Sequence, residues 1–403
     1  MPMIRLKSDF YPMENVINTY SWGSYTSIEE IFGIKNQDNQ PQAELWMGAH
    51  PNGCSKVKTE DGTVFLSDFI SDDATNILSP ETEQTYGELP FLFKVLAAEH
   101  PLSIQVHPNK RDAEIGFKKE EKADIPLTAA YRNYKDSNHK PELIYALTPF
   151  KAMNGFRRLD EISSLLSLID SVVVNGLLKK CSGGTESAFL KSVFTGLLSL
   201  EGKDRVAAIT SLTKYAKAHS TLSPFDLITK LVAQYPSDIG IFSPLLLNVI
   251  TLEPGEAMYL DARTPHAYIG GTGLEIMASS DNVLRAGLTS KYIDIEELVK
   301  CTDFVSKNLN TLILQPTFKH GEMVYPVPVL DFKFSILLTS ENREIHVASA
   351  EILLALDHDM IITKGEESAI TITKGSSVFI PAYVNRYTVS SVGRIARATS
   401  SGN

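Results

Sequence analysis

Cysteine is scarce in this chain: 403 residues carry three, Cys54, Cys181 and Cys301. An odd number without CxxC spacing argues against a disulfide framework and fits a reducing compartment, so a cytoplasmic location is expected. No stretch of about 18 apolar residues occurs, which excludes a helix that spans a membrane. The opening MPMIRLKSDFYPMENV has no apolar run after its basic residues, so no secretory signal is expected there. Positive charge is in deficit: 38 Lys and Arg against 48 Asp and Glu leave a net charge of −10. Such a surface offers no electrostatic footprint for nucleic acid or an anionic membrane, and neither is expected as a partner. A few cations gathered in one cleft would still suffice for a small anion. Low-complexity segments are missing, and 43% hydrophobic with 21% charged residues is ordinary for globular proteins. At about 150 residues per domain, the length predicts two or three domains.

Residues 1–150 hold short β-like runs broken by Gly, Pro and Asn, such as PFLFKVLAA from Pro90 and LSIQVH from Leu102. From about 157 to 236 the apolar spacing becomes helical. The sets Ile162, Leu165, Leu166, Ile169 and Phe189, Val193, Leu197, Leu200 show it, as do Val206, Ile209, Leu212, Ala216. Ser223-Pro224 before Asp226 predicts an N-cap with Pro at the first helical position, so four helices are expected, joined near 181–184 and 201–202. After Pro244 β signals return (LLLNVITL from Leu245), interrupted by one short helix over 293–300. From about 325 the chain is strand-like to its end. The expected class is mainly β with an all-α block, either a separate domain or, as the motifs on both sides of it favour, an insertion into one β domain.

Strand geometry places Ser103, Gln105 and His107 on one face and Leu102, Ile104 and Val106 on the other. Those polar side chains line either a cavity or a solvated edge. In NHKPE, Lys140 and Glu142 share a face; this is either a surface pair or a carboxylate at the entrance to the apolar strand that follows. The segment GEAMYLDARTPHAY leads through a strand and a tight turn to His266. Its frame resembles the second motif of cupin-type jelly rolls, where the His points into the barrel mouth and holds a metal. Gln105, His107, Glu142 and His266 together offer two nitrogens and two oxygens, a set suited to Zn²⁺ with room for water or substrate. A non-haem iron site would more often show two His and one carboxylate without the Gln.

Five motifs in order, AELWMGAHP from Ala43, PLSIQVHPNK from Pro101, NHKPE from Asn138, TPHAY from Thr264 and EIMASSDNVLRAGLT from Glu275, resemble the type I mannose-6-phosphate isomerase family. YSWGS from Tyr20 is similar too, and the likeness runs from about residue 16 to 315. The resemblance implies an enzyme that interconverts mannose 6-phosphate and fructose 6-phosphate with one zinc per chain, held by Gln105, His107, Glu142 and His266. It places the family's catalytic Arg on Arg285. Many members carry Gly where this chain has Arg263, so the loop before His266 is expected to differ in conformation. GSSVFIPAYVNR from Gly375 repeats the turn frame of 255–266 with Arg386 in the slot of His266. This suggests a second cupin-like barrel without its metal, or else an unrelated Gly/Pro turn. Two cupin-like jelly-roll barrels plus a helical domain are therefore expected. Residues 1–156 with 240–320 would form the zinc-binding domain, 157–239 the helical insertion, and 321–403 the degenerate barrel.

Aldose–ketose isomerisation through a cis-enediolate needs a base near C1 and C2, a cation for the enediolate oxygens and a phosphate anchor. Arg285 fits either cationic role. Glu275, Lys140 and His139, in that order, are the candidate bases. Ser103 and Lys110 are candidate phosphate contacts, Asp281 is expected to orient Arg285, and Trp46 and Tyr268 to wall the pocket. A sugar phosphate is the only partner expected, with the chain acting as a monomer. The alternatives are a metal-dependent cupin oxygenase and a sugar-phosphate binder without turnover.

Overall fold

Strand His266–Ala278, thirteen residues long, is the spine of the molecule in its computed structural model, which describes residues 8–60, 62–181, 184–365 and 368–400. Its first half pairs with Ile104–Val106 and Phe150–Phe156, its second with Phe91–Ala98 and Glu142–Ala146. The partners change at a register shift between Tyr268 and Gly270. At the next residue, Gly271, φ is +118° and a Cβ would sit 2.5 Å from the Pro149 carbonyl oxygen, so only glycine fits. One strand thereby serves both halves of a ten-stranded sheet.

Leu247–Leu252 pairs antiparallel with Phe150–Phe156, so the chain before and after the helical block meets in that same sheet. Between these two neighbours the described residues form the helices Leu159–Ser167, Val172–Cys181, Glu186–Leu198, Gly202–Ala218 and Phe225–Gln234, followed by a 3-10 turn at Ile239–Phe242 and the short helix Ser243–Leu246. The sequence reading misses the second, whose VVVNGLLKKC combines β-branched residues with Gly176 and buries only Val174 and Cys181. The helix expected after Ser223-Pro224 starts at Phe225, with Pro224 as its cap and not its first residue. Of the expected connector at 181–184, residues 182 and 183 lie outside the described residues. The helices share one core with Ile104, Val106, Leu284 and Ala286, the apolar backs of the strands that carry the site.

The C-terminal strands form a second β body. Lys333–Leu337, Ile395–Thr399, Glu351–Ala355 and Ser377–Ile380 lie side by side and face a four-stranded sheet across Leu337, Leu353, Met360, Ile362 and Val378. Arg386 opens its strand after Gly375 (φ +78°), as His266 does after Gly255 (φ +99°), but Arg386 is exposed. The N-terminal strand Tyr11–Glu14 pairs with Ser377–Ile380 and Lys56–Thr59, so early residues complete the later sheet. The first 150 residues also contain helices, including Lys110–Lys122 capped by Asn109. Among the described residues no helix is long and apolar enough to cross a membrane.

Candidate metal centre and cavity

His107, directly after strand Ile104–Val106, meets Glu142 and His266, the first residues of strands Glu142–Ala146 and His266–Ala278; each is nearly fully buried. His107 Nε2 lies 3.3 Å from Glu142 Oε1, and His266 Nε2 lies 3.5 Å from Glu142 Oε2. His107 Nδ1 donates to the Asn282 carbonyl at 2.7 Å and His266 Nδ1 to the Thr264 carbonyl at 2.9 Å. A carbonyl only accepts, so the proton of each neutral ring is on Nδ1 and each Nε2 presents a lone pair inward. Lone pairs then face carboxylate oxygens, acceptor against acceptor. His107 Nε2 is buried without a hydrogen-bond partner. A cation between these atoms removes the conflict, and the backbone carbonyls behind the rings are the orienting contacts that metal-binding histidines use. The donor set fits a divalent metal.

Gln105 belongs to the same place. In the sheet it pairs with His266 on one side and Arg285 on the other, and residues directly opposite share a face. Its side chain lines the inner lobe of a cavity together with Glu142, His266, Tyr268 and Glu275. Gln105, Lys140 and Lys94 also line a neighbouring main cavity of about 410 Å³. Trp46, Ser103, Asp281 and Arg285 line the main cavity as well. Its charged lining is Lys94, Lys140, Arg285 and Lys291 against Glu44 and Asp281. A chain with net charge −10 thus concentrates cations here.

Electrostatics sets the protonation states. Burial alone would push the Glu142 carboxyl up, but Lys140, with Nζ at 3.1 Å, and His107 hold it well below its ordinary range. Burial pulls the His107 imidazole down to about 4, with Glu142 opposing only in part. Burial lowers Arg285, which has no ion-pair partner among the described residues. Lys94 sits between Glu275 at 2.8 Å and Glu44 at 3.7 Å. Burial works against its charge, yet these two carboxylates more than offset that and keep the ammonium protonated.

An acid response follows. The metal-free protein is expected to lose stability as pH falls from about 6.5 toward about 4. In that window the unfolded chain binds a proton at position 107 that the native site refuses, so stability rises with pH. Glu142 adds the same slope below the ordinary carboxylate range. Urea midpoints at pH 7 and pH 5 in chelator check this; equal midpoints would contradict it.

Other expected residues lie elsewhere. His139 turns from the cavity, with Nε2 3.0 Å from both carboxylate oxygens of Asp331. Lys110 is in the first turn of an exposed helix and meets Asn138 and Glu114, outside the cavity lining. Asp281 lines the cavity but does not orient Arg285: its carboxylate takes Asn52 Nδ2 at 2.7 Å and lies 3.4 Å from His50 Nε2. Tyr268 is buried beside Glu142, its OH 3.4 Å away. Trp46 stacks under Lys94 and donates through Nε1 to Glu44 at 2.8 Å. Sequence reasoning misses Lys94, Glu44, Tyr235 and the Thr289–Ser290–Lys291 wall. Lys94 had a signal: it is the one charge in an eight-residue strand that is buried throughout.

Comparison with known proteins agrees with this geometry. The family model for the catalytic domain of type I phosphomannose isomerase matches residues 10–159, and that for the family's helical insertion domain residues 168–247. The mannose-6-phosphate isomerase cupin domain model matches residues 322–400. The mannose-6-phosphate isomerase of Escherichia coli (strain K12) is 46% identical over 387 residues, covering 95% of this chain and 97% of that protein. The Homo sapiens enzyme of the same name is 34% identical over 406 residues, 92% of this chain and 93% of its own. A solved variant of phosphomannose isomerase from Salmonella typhimurium superposes with a TM-score of 0.93 at 44% identity, covering 98% of this chain and 100% of that one. A zinc-bound structure of mannose 6-phosphate isomerase does so with a TM-score of 0.92, at the same identity and coverage. This chain belongs to the type I phosphomannose isomerase family.

Proposed function

We propose that this chain is a zinc-dependent isomerase that interconverts mannose 6-phosphate and fructose 6-phosphate through a cis-enediolate. The observation that carries this reading is the inward-facing Nε2 of His107, buried without a partner beside Glu142 and His266, at the inner end of a cation-lined cavity. Gln105, His107, Glu142 and His266 would hold the zinc. The ion, when bound, supplies positive charge near the O1/O2 edge of the sugar.

The chain's own groups do the rest. Arg285, which lines the cavity and has no ion-pair partner among the described residues, would stabilise the charge that develops on the enediolate. Ser103 and Lys291 face the same main cavity and suit the phosphate end of the substrate. Proton transfer between C1 and C2 falls to the titratable candidates that line the inner lobe beside Glu142 and His266, Lys140 and Glu275. Trp46, Tyr235 and Trp22 wall the cavity and limit water around the sugar.

The test is a coupled assay on zinc-loaded protein, run in D₂O with mannose 6-phosphate. Turnover with deuterium entering at C1 or C2 is expected, because an enediolate route exposes the migrating proton to solvent exchange. Oxygen uptake in place of isomerisation would favour an oxygenase, and binding without turnover a passive sugar-phosphate site.

A further inference from the structure

Arg263 is a non-glycine residue in the left-handed region, with φ +65°. Such a residue persists only when its surroundings hold it there, and strain of this kind gathers at functional sites. The surroundings are explicit. Its backbone N–H donates to the carbonyl of His107 at 2.7 Å, and its own carbonyl accepts from Asp303 N at 2.9 Å. The guanidinium bonds Asp112, Asp303 Oδ1 at 2.7 Å and the Lys300 carbonyl at 3.0 Å.

Both histidines of the centre hang on this one residue. Arg263 precedes Thr264, whose carbonyl takes the Nδ1 proton of His266. Asp112 lies in the first turn of the helix Lys110–Lys122, which begins three residues after His107. Pulling Asp112 toward Arg263 therefore draws the His107 segment against the turn that carries His266. The two imidazole rings stand with centroids 4.9 Å apart.

We infer that Arg263 is a positioning residue for the metal centre: its clamp on Asp112, Asp303 and the His107 carbonyl fixes the separation of His107 and His266 before a metal arrives. This rests on the zinc-centred reading above. The clamp touches neither substrate nor metal. It acts through ring placement, as groups behind metal ligands generally do.

The experiment uses the full chain loaded with zinc, and separately with Co²⁺. Arg263→Gly relieves the backbone strain but removes the ion pairs; Arg263→Ala removes the ion pairs and keeps the strain. Both are expected to release zinc to a chromophoric chelator about 10-fold faster than the parent, with Ala the faster, and to shift the Co²⁺ visible spectrum. Arg263→Lys, which keeps one charge, should fall between parent and Ala. Asp112→Asn tests the clamp from the helix side and serves should an Arg263 variant fold poorly. A merely structural role would lower unfolding midpoints while leaving the release rate and spectrum of the folded protein unchanged, and that outcome overturns the inference. If the parent chain itself takes up no stoichiometric zinc, the zinc-centred reading fails and the clamp falls with it, a result distinct from parent-like release by the variants.

Discussion

His107→Ala is expected to lose stoichiometric zinc and to lower isomerase turnover by about 10³-fold or more, since a bound dication is worth several kcal/mol of charge stabilisation. The side chain is 1% exposed and its Nε2 has no hydrogen-bond partner, so the substitution removes one donor of the His107, Glu142 and His266 cluster. The stability readout should be asymmetric. In chelator, the substitution opens a small cavity but also removes a buried, unsatisfied lone pair, and these effects oppose each other. With excess zinc the parent should gain stability by mass action, whereas the variant should not. Thermal melts of both proteins with and without zinc measure this. Full metal content and activity in His107→Ala would remove the centre from the reaction.

Much of that centre is legible from sequence because strands alternate. Ser103 and Gln105 face one way while Ile104 and Val106 pack into the core shared with the helices, and of the two readings open to the polar face, cavity or solvated edge, the cavity is the one found. The helical insertion is legible from its 3.6-residue period, and the ligand order explains why its two flanks meet in one sheet. Other features leave no local trace. The helix Lys110–Lys122 buries Ala113, Gly116 and Glu120, so it lacks an apolar stripe to reveal it. The pairing of Tyr11–Glu14 with Ser377–Ile380 spans more than 360 residues and depends on tertiary packing alone. Lys94 and Glu275 are neighbours only because Phe91–Ala98 pairs with His266–Ala278, which sets the two residues directly opposite. A lone Lys in an apolar strand does say that a carboxylate must come to meet it, though not which one. Asp281 shows the converse error. Sequence proximity to Arg285 suggests a pair, but the carboxylate meets Asn52 and His50 instead.

Arg285→Lys should lower kcat by about 10²-fold, or roughly 3 kcal/mol, with KM for mannose 6-phosphate little changed and zinc content intact. The register argues for this outcome. Across the sheet the order is His266, Gln105, Arg285, each directly paired with the next. Two strand spacings of about 4.8 Å separate the backbone of Arg285 from that of His266. Residues paired directly opposite share a face, so the register sets Arg285 on the face of Gln105 and His266, where it lines the main cavity; in the proposed reading it would serve the sugar's reacting end. Ser103 and Lys291, which line the main cavity, would then serve the phosphate in the proposed reading. No carboxylate among the described residues is paired with Arg285, so its donors are free for the developing oxyanion. Lysine would keep the charge but lose the planar fork and its fixed aim, which matters most for an interaction that strengthens in the transition state. A rise in KM at constant kcat would move Arg285 to the phosphate, where it would bind ground state and transition state alike. Parent-like kcat/KM in Arg285→Ala would take it out of the mechanism, and the unpaired cation at this register position would then need another explanation.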